Sequence, residues 1–130
     1  MDNRQVALAL YDAVNAGDRD AVRALVSEAY VEHGSPAAQP EGREGLLWFI
    51  DFATSAFPDL TATVDGTVVE EDLVAVRLTV TGTHEGPIFG REPTGRTVAF
   101  AGMDFLRIED HLIVERWTLR DFRGLVEQIS

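Results

Sequence analysis

The sequence predicts an α+β fold, with three N-terminal helices packed on a curved antiparallel β-sheet that encloses a pocket. Three observations predict it. Apolar residues recur at helical spacing as far as Phe57, then alternate at strand spacing from Leu60 onward. Helices followed by a run of strands give segregated layers and not a βαβ crossover. Glycines interrupt the strand segments at Gly66, Gly82 and Gly102, where bulges or bends curl a sheet.

The first helix spans residues 4–16, where Val6, Leu10 and Val14 repeat every fourth position with Ala7 and Tyr11 beside them. Gly17 stops it. Asp18 caps a second helix that runs to about Val26 and buries Ala21, Val22 and Leu25. A loop with Gly34, Ser35, Pro36 and Pro40 follows. The third helix extends from about Arg43 to Phe57 on an apolar stripe of Leu46, Leu47, Phe49, Ile50, Ala53 and Phe57, and Pro58 ends it. Thr61–Val69 and Leu73–His84 read as strands, the second with Val74, Val76, Leu78, Val80, Gly82 and His84 on one side. A glycine-proline loop, Gly86–Gly95, leads to a long strand, Arg96–Ile108. A tight turn at Glu109-Asp110 opens the last strand. At a period of two, that strand carries Ile113, Glu115, Trp117, Leu119 and Asp121 on one face. Leu112, Val114, Arg116, Thr118 and Arg120 lie on the other. The first face is expected to look into the cavity; a one-residue register error would invert every such assignment.

The 130 residues suit one domain, 1–130, and 45% of them are hydrophobic. No apolar run approaches the length of a membrane span, and residues 1–10 lack the apolar core of a signal peptide. Cysteine is absent, which removes disulfides and thiolate chemistry and fits a cytoplasmic location. The net charge of −11 disfavours nucleic acid and anionic membranes as partners and leaves a small neutral molecule open.

Several segments together resemble one family: Tyr30-Val-Glu-His33, Ala56-Phe-Pro-Asp-Leu60, Glu70-Glu-Asp-Leu-Val-Ala75, Gly82-Thr-His-Glu-Gly86, Pro93-Thr-Gly-Arg96, Asp104-Phe-Leu-Arg107 and Ile113-Val-Glu-Arg-Trp117 with Asp121. Their order resembles the nuclear-transport-factor-2-like, ketosteroid-isomerase-like cone fold and, within it, the SnoaL-like polyketide cyclases. The usual Asp-Gly-Lys turn before the last strand is Glu109-Asp110-His111 here. The resemblance implies a cone of three helices and four strands. It also implies an enzyme that closes a ring by intramolecular aldol reaction, as in antibiotic biosynthesis, without metal or cofactor. The implied substrate is a small hydrophobic or aromatic polycarbonyl, and the implied assembly a homodimer. The same fold hosts hydroxylases, epoxide hydrolases, isomerases and non-catalytic binding domains, and these stay open.

One aspartate near the pocket is the general base that the resemblance implies, and Asp121 is the first candidate. Burial beside Trp117 and Leu119, with Glu115 as a second acid on the same face, would raise its pKa toward a useful range. The alternative is a cap at the strand end or an ion pair with Arg120 or Arg123. Asp104, on the face of Val98, Phe100, Leu106 and Ile108, is a second candidate base or proton shuttle. Its alternative is a buried acid hydrogen-bonded to a helix or to a Trp indole. His84 and His33 are candidates to hydrogen-bond a developing enolate oxygen. Trp117, Glu115, Trp48, Phe52, Phe89, Phe100 and Tyr11 are candidate substrate contacts, with Phe89 and its loop as a lid. His33, His84 and Asp121 have no metal-ligand spacing. An epoxide hydrolase would need an Asp–Arg–Asp set, for which Arg96 and Arg107 are poorly placed. Thr97, Ala99, Ala101, Met103 and Phe105 form a sheet face that needs a cover, predicting a homodimer packed sheet to sheet.

Overall fold

In the computed structural model, described for residues 1–34 and 38–130, four helices pack on a five-stranded sheet. Ser35 and Pro36 of the expected loop lie outside the described residues. Helix α1 (Asn3–Ala16) begins with a capping box, in which Asp2 and Gln5 satisfy each other's backbone N–H groups, and it ends on Gly17 at φ 68°. Helix α2 (Arg19–Leu25) is capped by Asp18 through the Ala21 N–H. Strand β1 (Val26–His33) follows at once, then α3 (Gly42–Ala56). Strands β2 (Thr61–Glu70), β3 (Leu73–Thr83), β4 (Thr97–Glu109) and β5 (Leu112–Arg120) make an antiparallel meander, and α4 (Phe122–Gln128) closes it.

The sheet order is β1-β5-β4-β3-β2, with β1 parallel to β5. Two expectations need correction here. The sheet has five strands, because residues 26–33 leave α2 directly as a strand. Their pattern, buried only at Val26 and Tyr30, is too irregular for strand alternation, and pairing with β5 supplies the missing drive. The chain also ends in a short helix. Asp121 caps it, and Phe122, Leu125 and Ile129 recur at helical spacing, a signal present in the sequence.

β3 and β4 alternate cleanly, each with its even-numbered residues buried. Those residues and the inner sides of α1 and α3 form the core, where Val6, Leu10, Leu47, Val74, Leu106 and Ile113 are at most 1% exposed. Removing such a side chain to alanine costs about 2–5 kcal/mol, because the surrounding packing collapses only partly. Among the described residues no helix is long and apolar enough to cross a membrane.

The deciding irregularity is in β5. Ile108 pairs with Ile113, but Arg107 pairs with Glu115, so Val114 is an extra residue, a β-bulge. It inverts the alternation. Ile113 points inward before it, and Arg116, Thr118 and Arg120 sit opposite the inward Leu106, Asp104 and Gly102 after it.

Candidate functional site

Between α1, α3, α4 and the concave sheet face lies a largely apolar pocket. Leu10, Val14, Leu46, Phe49, Ile50, Phe52, Ala53, Phe57, Val80, Ile88, Phe100, Phe122 and Leu125 make most of its wall, and the helical and strand apolar stripes put them there. Its polar lining is Tyr11, Arg116 and Arg120. An apolar slot with a few convergent polar groups is the usual form of a small-molecule site.

Those polar groups converge on Asp104, which is 1% exposed. The Tyr11 hydroxyl donates to Asp104 Oδ2 at 2.6 Å. Arg120 donates from Nη1 to Oδ1 at 2.7 Å and from Nη2 to Oδ2 at 3.2 Å. Arg116 Nη1 lies 3.8 Å from Oδ2, and Arg116 Nε donates to Glu32 Oε1 at 2.8 Å. Tyr30 donates to the same Glu32 oxygen at 2.6 Å, and Gln39 donates to the other. Two acids and two guanidiniums thus share a buried network, whose charges cancel.

Burial pushes the Asp104 carboxyl up, but the Arg116 charge and the Arg120 and Tyr11 hydrogen bonds outweigh it and hold the pKa below the usual aspartate value. Burial, then the Asp104 charge, pushes the Tyr11 phenol well above its ordinary value, so it keeps its proton as a donor. Burial also raises Tyr30. It opposes the charge on Arg116, which nonetheless stays fixed because Asp104 and Glu32 face it.

Of the residues singled out in the sequence, Tyr11, Phe52 and Phe100 line the pocket, and Asp104 lies behind its polar end, bound to the lining residues Tyr11 and Arg120. Phe89 is partly exposed and packs beside the lining residues Phe52 and Phe122. Its ring meets Phe52 at 6.3 Å and Phe122 at 5.4 Å, both edge-on. Phe89 (φ 50°) and Gly90 (φ 74°) are the two central residues of a hairpin closed by Ile88 and Arg91, the type I′ pattern, which a phenylalanine enters only under strain. Trp48 stacks on Phe52 at 5.5 Å and is not part of the lining.

The expected inner face of the last strand is a correction. Glu115, Trp117 and Leu119 lie on the outer face, because the Val114 bulge shifts them by one position. Trp117 stacks there on His33 at 5.1 Å, and His33 Nε2 lies 2.7 Å from Glu115 Oε2. Arg107 joins them, bonding Asp72 at 2.6 Å and Glu115 at 3.3 Å. The His33 hydrogen bond and then Arg107 hold the Glu115 carboxyl low, against a smaller opposing effect of burial. So His33, Glu115 and Trp117 meet, but away from the pocket. Asp121 is exposed and accepts the Gly124 N–H at 2.9 Å as the cap of α4, so it shares no face with Glu115 or Trp117.

His84 is fully buried beside Phe57. Its Nδ1 accepts the Thr94 backbone N–H at 3.2 Å, which places the ring proton of the neutral form on Nε2. That atom has no partner among the described residues. Arg96 is exposed and donates to the Ser130 carbonyl, apart from Asp104. Among the described residues, no three His, Asp or Glu side chains group as a metal would require. Sequence reading missed Arg116, Arg120, Glu32 and Tyr30. No local pattern signals them, since the bulge and the β1–β5 pairing bring them inward.

The model of a family described as SnoaL-like polyketide cyclase matches residues 4–129, and the chain belongs to that family. No curated protein matches the chain. Among solved structures, IdmH from Streptomyces antibioticus, a candidate polyketide cyclase, is 35% identical with a TM-score of 0.88, covering 98% of each chain. TsrD from Streptomyces laurentii is 31% identical (TM-score 0.87, covering 98% of this chain and 93% of that one). AclR from Streptomyces galilaeus, a candidate hydroxylase, is 29% identical (TM-score 0.86, covering 98% and 80%).

Proposed function

We propose that this SnoaL-like chain is a cofactor-independent cyclase that closes a ring by intramolecular aldol reaction of a small, largely apolar polycarbonyl. The observation that carries the reading is the apolar pocket whose polar lining, Tyr11, Arg116 and Arg120, converges on the buried Asp104. Family membership and the likeness to IdmH support it.

In this mechanism a substrate carbonyl draws the Arg120 N–H groups away from Asp104. The carboxylate then loses the Arg120 share of what holds its pKa low, while Arg116 and Tyr11 stay in place, and becomes a stronger base. Asp104 takes the proton from the carbon between two carbonyls, and the enolate oxygen is held by Arg120. The charge balance is conserved, since one negative charge moves from Asp104 to the enolate beside the same guanidiniums. The enolate carbon attacks a second carbonyl carbon and forms the new C–C bond. Tyr11 gives its proton to the resulting alkoxide and recovers one from Asp104, its partner at 2.6 Å. Product and substrate have equal mass.

Two further parts belong to the reading. Phe89, between Phe52 and Phe122, acts as the lid. The exposed apolar residues of the outer face, Met103 (58%), Phe105 (52%) and Leu119 (71%), form a homodimer surface.

The test is product formation from a panel of tricyclic polyketide esters, with and without oxygen, by wild type, Asp104→Asn and Asp121→Asn. The expected result is an oxygen-independent product of unchanged mass, reduced by about a hundredfold or more in Asp104→Asn and retained in Asp121→Asn. An undiminished rate in Asp104→Asn removes Asp104 from its role. A gain of one oxygen atom moves the chain to hydroxylase chemistry, the activity suggested for AclR. A second reading, a non-catalytic binding domain, is favoured by the full set of donors on Asp104. It gains if a ligand from the panel binds and leaves unchanged.

A further inference from the structure

We propose that Gly102 is a positioning residue: its missing side chain is the bed across which Arg120 reaches Asp104. Gly102 pairs with Arg120 across β4 and β5, and both face inward. A Cβ built on Gly102 would fall 2.7 Å from Arg120 Cδ, 2.8 Å from Nη1 and 3.0 Å from Nε. The first two distances are shorter than packing allows and the third is tight, and all three atoms belong to the arginine side chain. The Asp104 carboxylate that this guanidinium grips lies two residues along the same strand, on the same face.

A glycine inside a strand weakens it and has a reason when another group approaches closely. Gly102 does not sit at a bulge. Its neighbours pair in unbroken register with β3, as Leu78 does with Gly102 itself. Its backbone is not in the left-handed region, so a side chain at this position strains no dihedral. What a methyl group there must displace is the arginine. Because the obstructing atoms sit on a flexible stem, the guanidinium yields before the strand does, and it yields away from Asp104.

This inference rests on the reading of Asp104 as the base, and its test separates the two. The carboxyl carbon of Asp104 is followed by NMR through a pH titration in wild type, Gly102→Ala, Arg120→Ala and the double variant, with turnover measured in parallel. Losing the Arg120 contacts raises the Asp104 midpoint, so Gly102→Ala should shift it upward, in the direction of Arg120→Ala. It should also lower turnover on the order of tenfold, as small misplacements at a reacting centre do. On the Arg120→Ala background, which removes all three atoms nearest the new methyl group, Gly102→Ala should add nothing to either quantity, because it acts only through the arginine. A wild-type midpoint in Gly102→Ala, or full additivity in the double variant, overturns the proposal. If the midpoint moves while turnover stays, the positioning role stands and the catalytic reading of Asp104 fails. If Gly102→Ala does not fold, the double variant decides. Folding restored by Arg120→Ala upholds the clash, and continued failure to fold overturns it.

Discussion

Replacing Asp104 with asparagine tests the buried network directly. In the native protein two guanidiniums, Arg116 and Arg120, face two carboxylates, Asp104 and Glu32, with side chains 0–10% exposed. The substitution keeps the shape and removes one negative charge. One positive charge is left uncompensated in a site nearly closed to water. The amide NH₂ also replaces an acceptor, so one of the three donors on Asp104 (Tyr11 Oη, Arg120 Nη1, Arg120 Nη2) faces another donor. Breaking a buried pair from one side costs about 3–5 kcal/mol. For a chain of this size that lowers Tm by roughly 10–20 °C. The assay is urea and thermal unfolding followed by circular dichroism at several pH values. The sign with pH follows from the depressed native pKa. An Asp104 held below its unfolded value of about 3.9 contributes fully above that pH and loses its contribution as pH falls through the native value. The gap between wild type and Asp104→Asn is therefore widest near neutrality and narrows below about pH 4. A loss under about 1 kcal/mol at neutral pH, or a gap that does not change with pH, would refute the account of Asp104 as an ionised, clamped carboxylate.

Three other predictions rest on single placements. Asp121→Asn should leave stability and turnover close to wild type, since asparagine caps a helix as well as aspartate does, whereas Asp121→Ala costs about 1 kcal/mol in unfolding. A large turnover loss in Asp121→Asn would return the base to that residue. Glu115→Gln should change turnover by less than about twofold, because its partners His33 and Arg107 lie on the outer face; a steady-state assay showing a large drop would place it in the site. Phe105→Lys should convert a dimer to a monomer in sedimentation equilibrium at micromolar concentration, since a charge on a two-fold interface meets its own copy. Wild type sedimenting as a monomer would dismiss the dimer surface outright.

The layer order and the inner faces of β3 and β4 are legible in the chain's own pattern. Those segments have a strict period, and every second residue from Val74 to Gly82 and from Val98 to Ile108 must be buried together. The inward sides of Asp104, Tyr11 and Phe100 were legible for the same reason, because each lies on or beside an unbroken apolar stripe. Periodicity also left a helical signal after Asp121, in Phe122, Leu125 and Ile129, which lies beyond the last segment assigned from the sequence. The polar end of the pocket takes shape only when the strands pair. β5 carries one extra residue at Val114, and a bulge has no signature in composition. Its effect is to send Arg116 and Arg120 inward and Glu115 and Trp117 outward, reversing what simple alternation requires. Glu32 and Tyr30 enter the network because β1 pairs in parallel with β5, a contact between segments more than eighty residues apart that local pattern does not encode. Burial is a property that each stretch of sequence specifies for itself. The charge balance around Asp104 is a property of strands from distant parts of the chain, and it exists only once they pair.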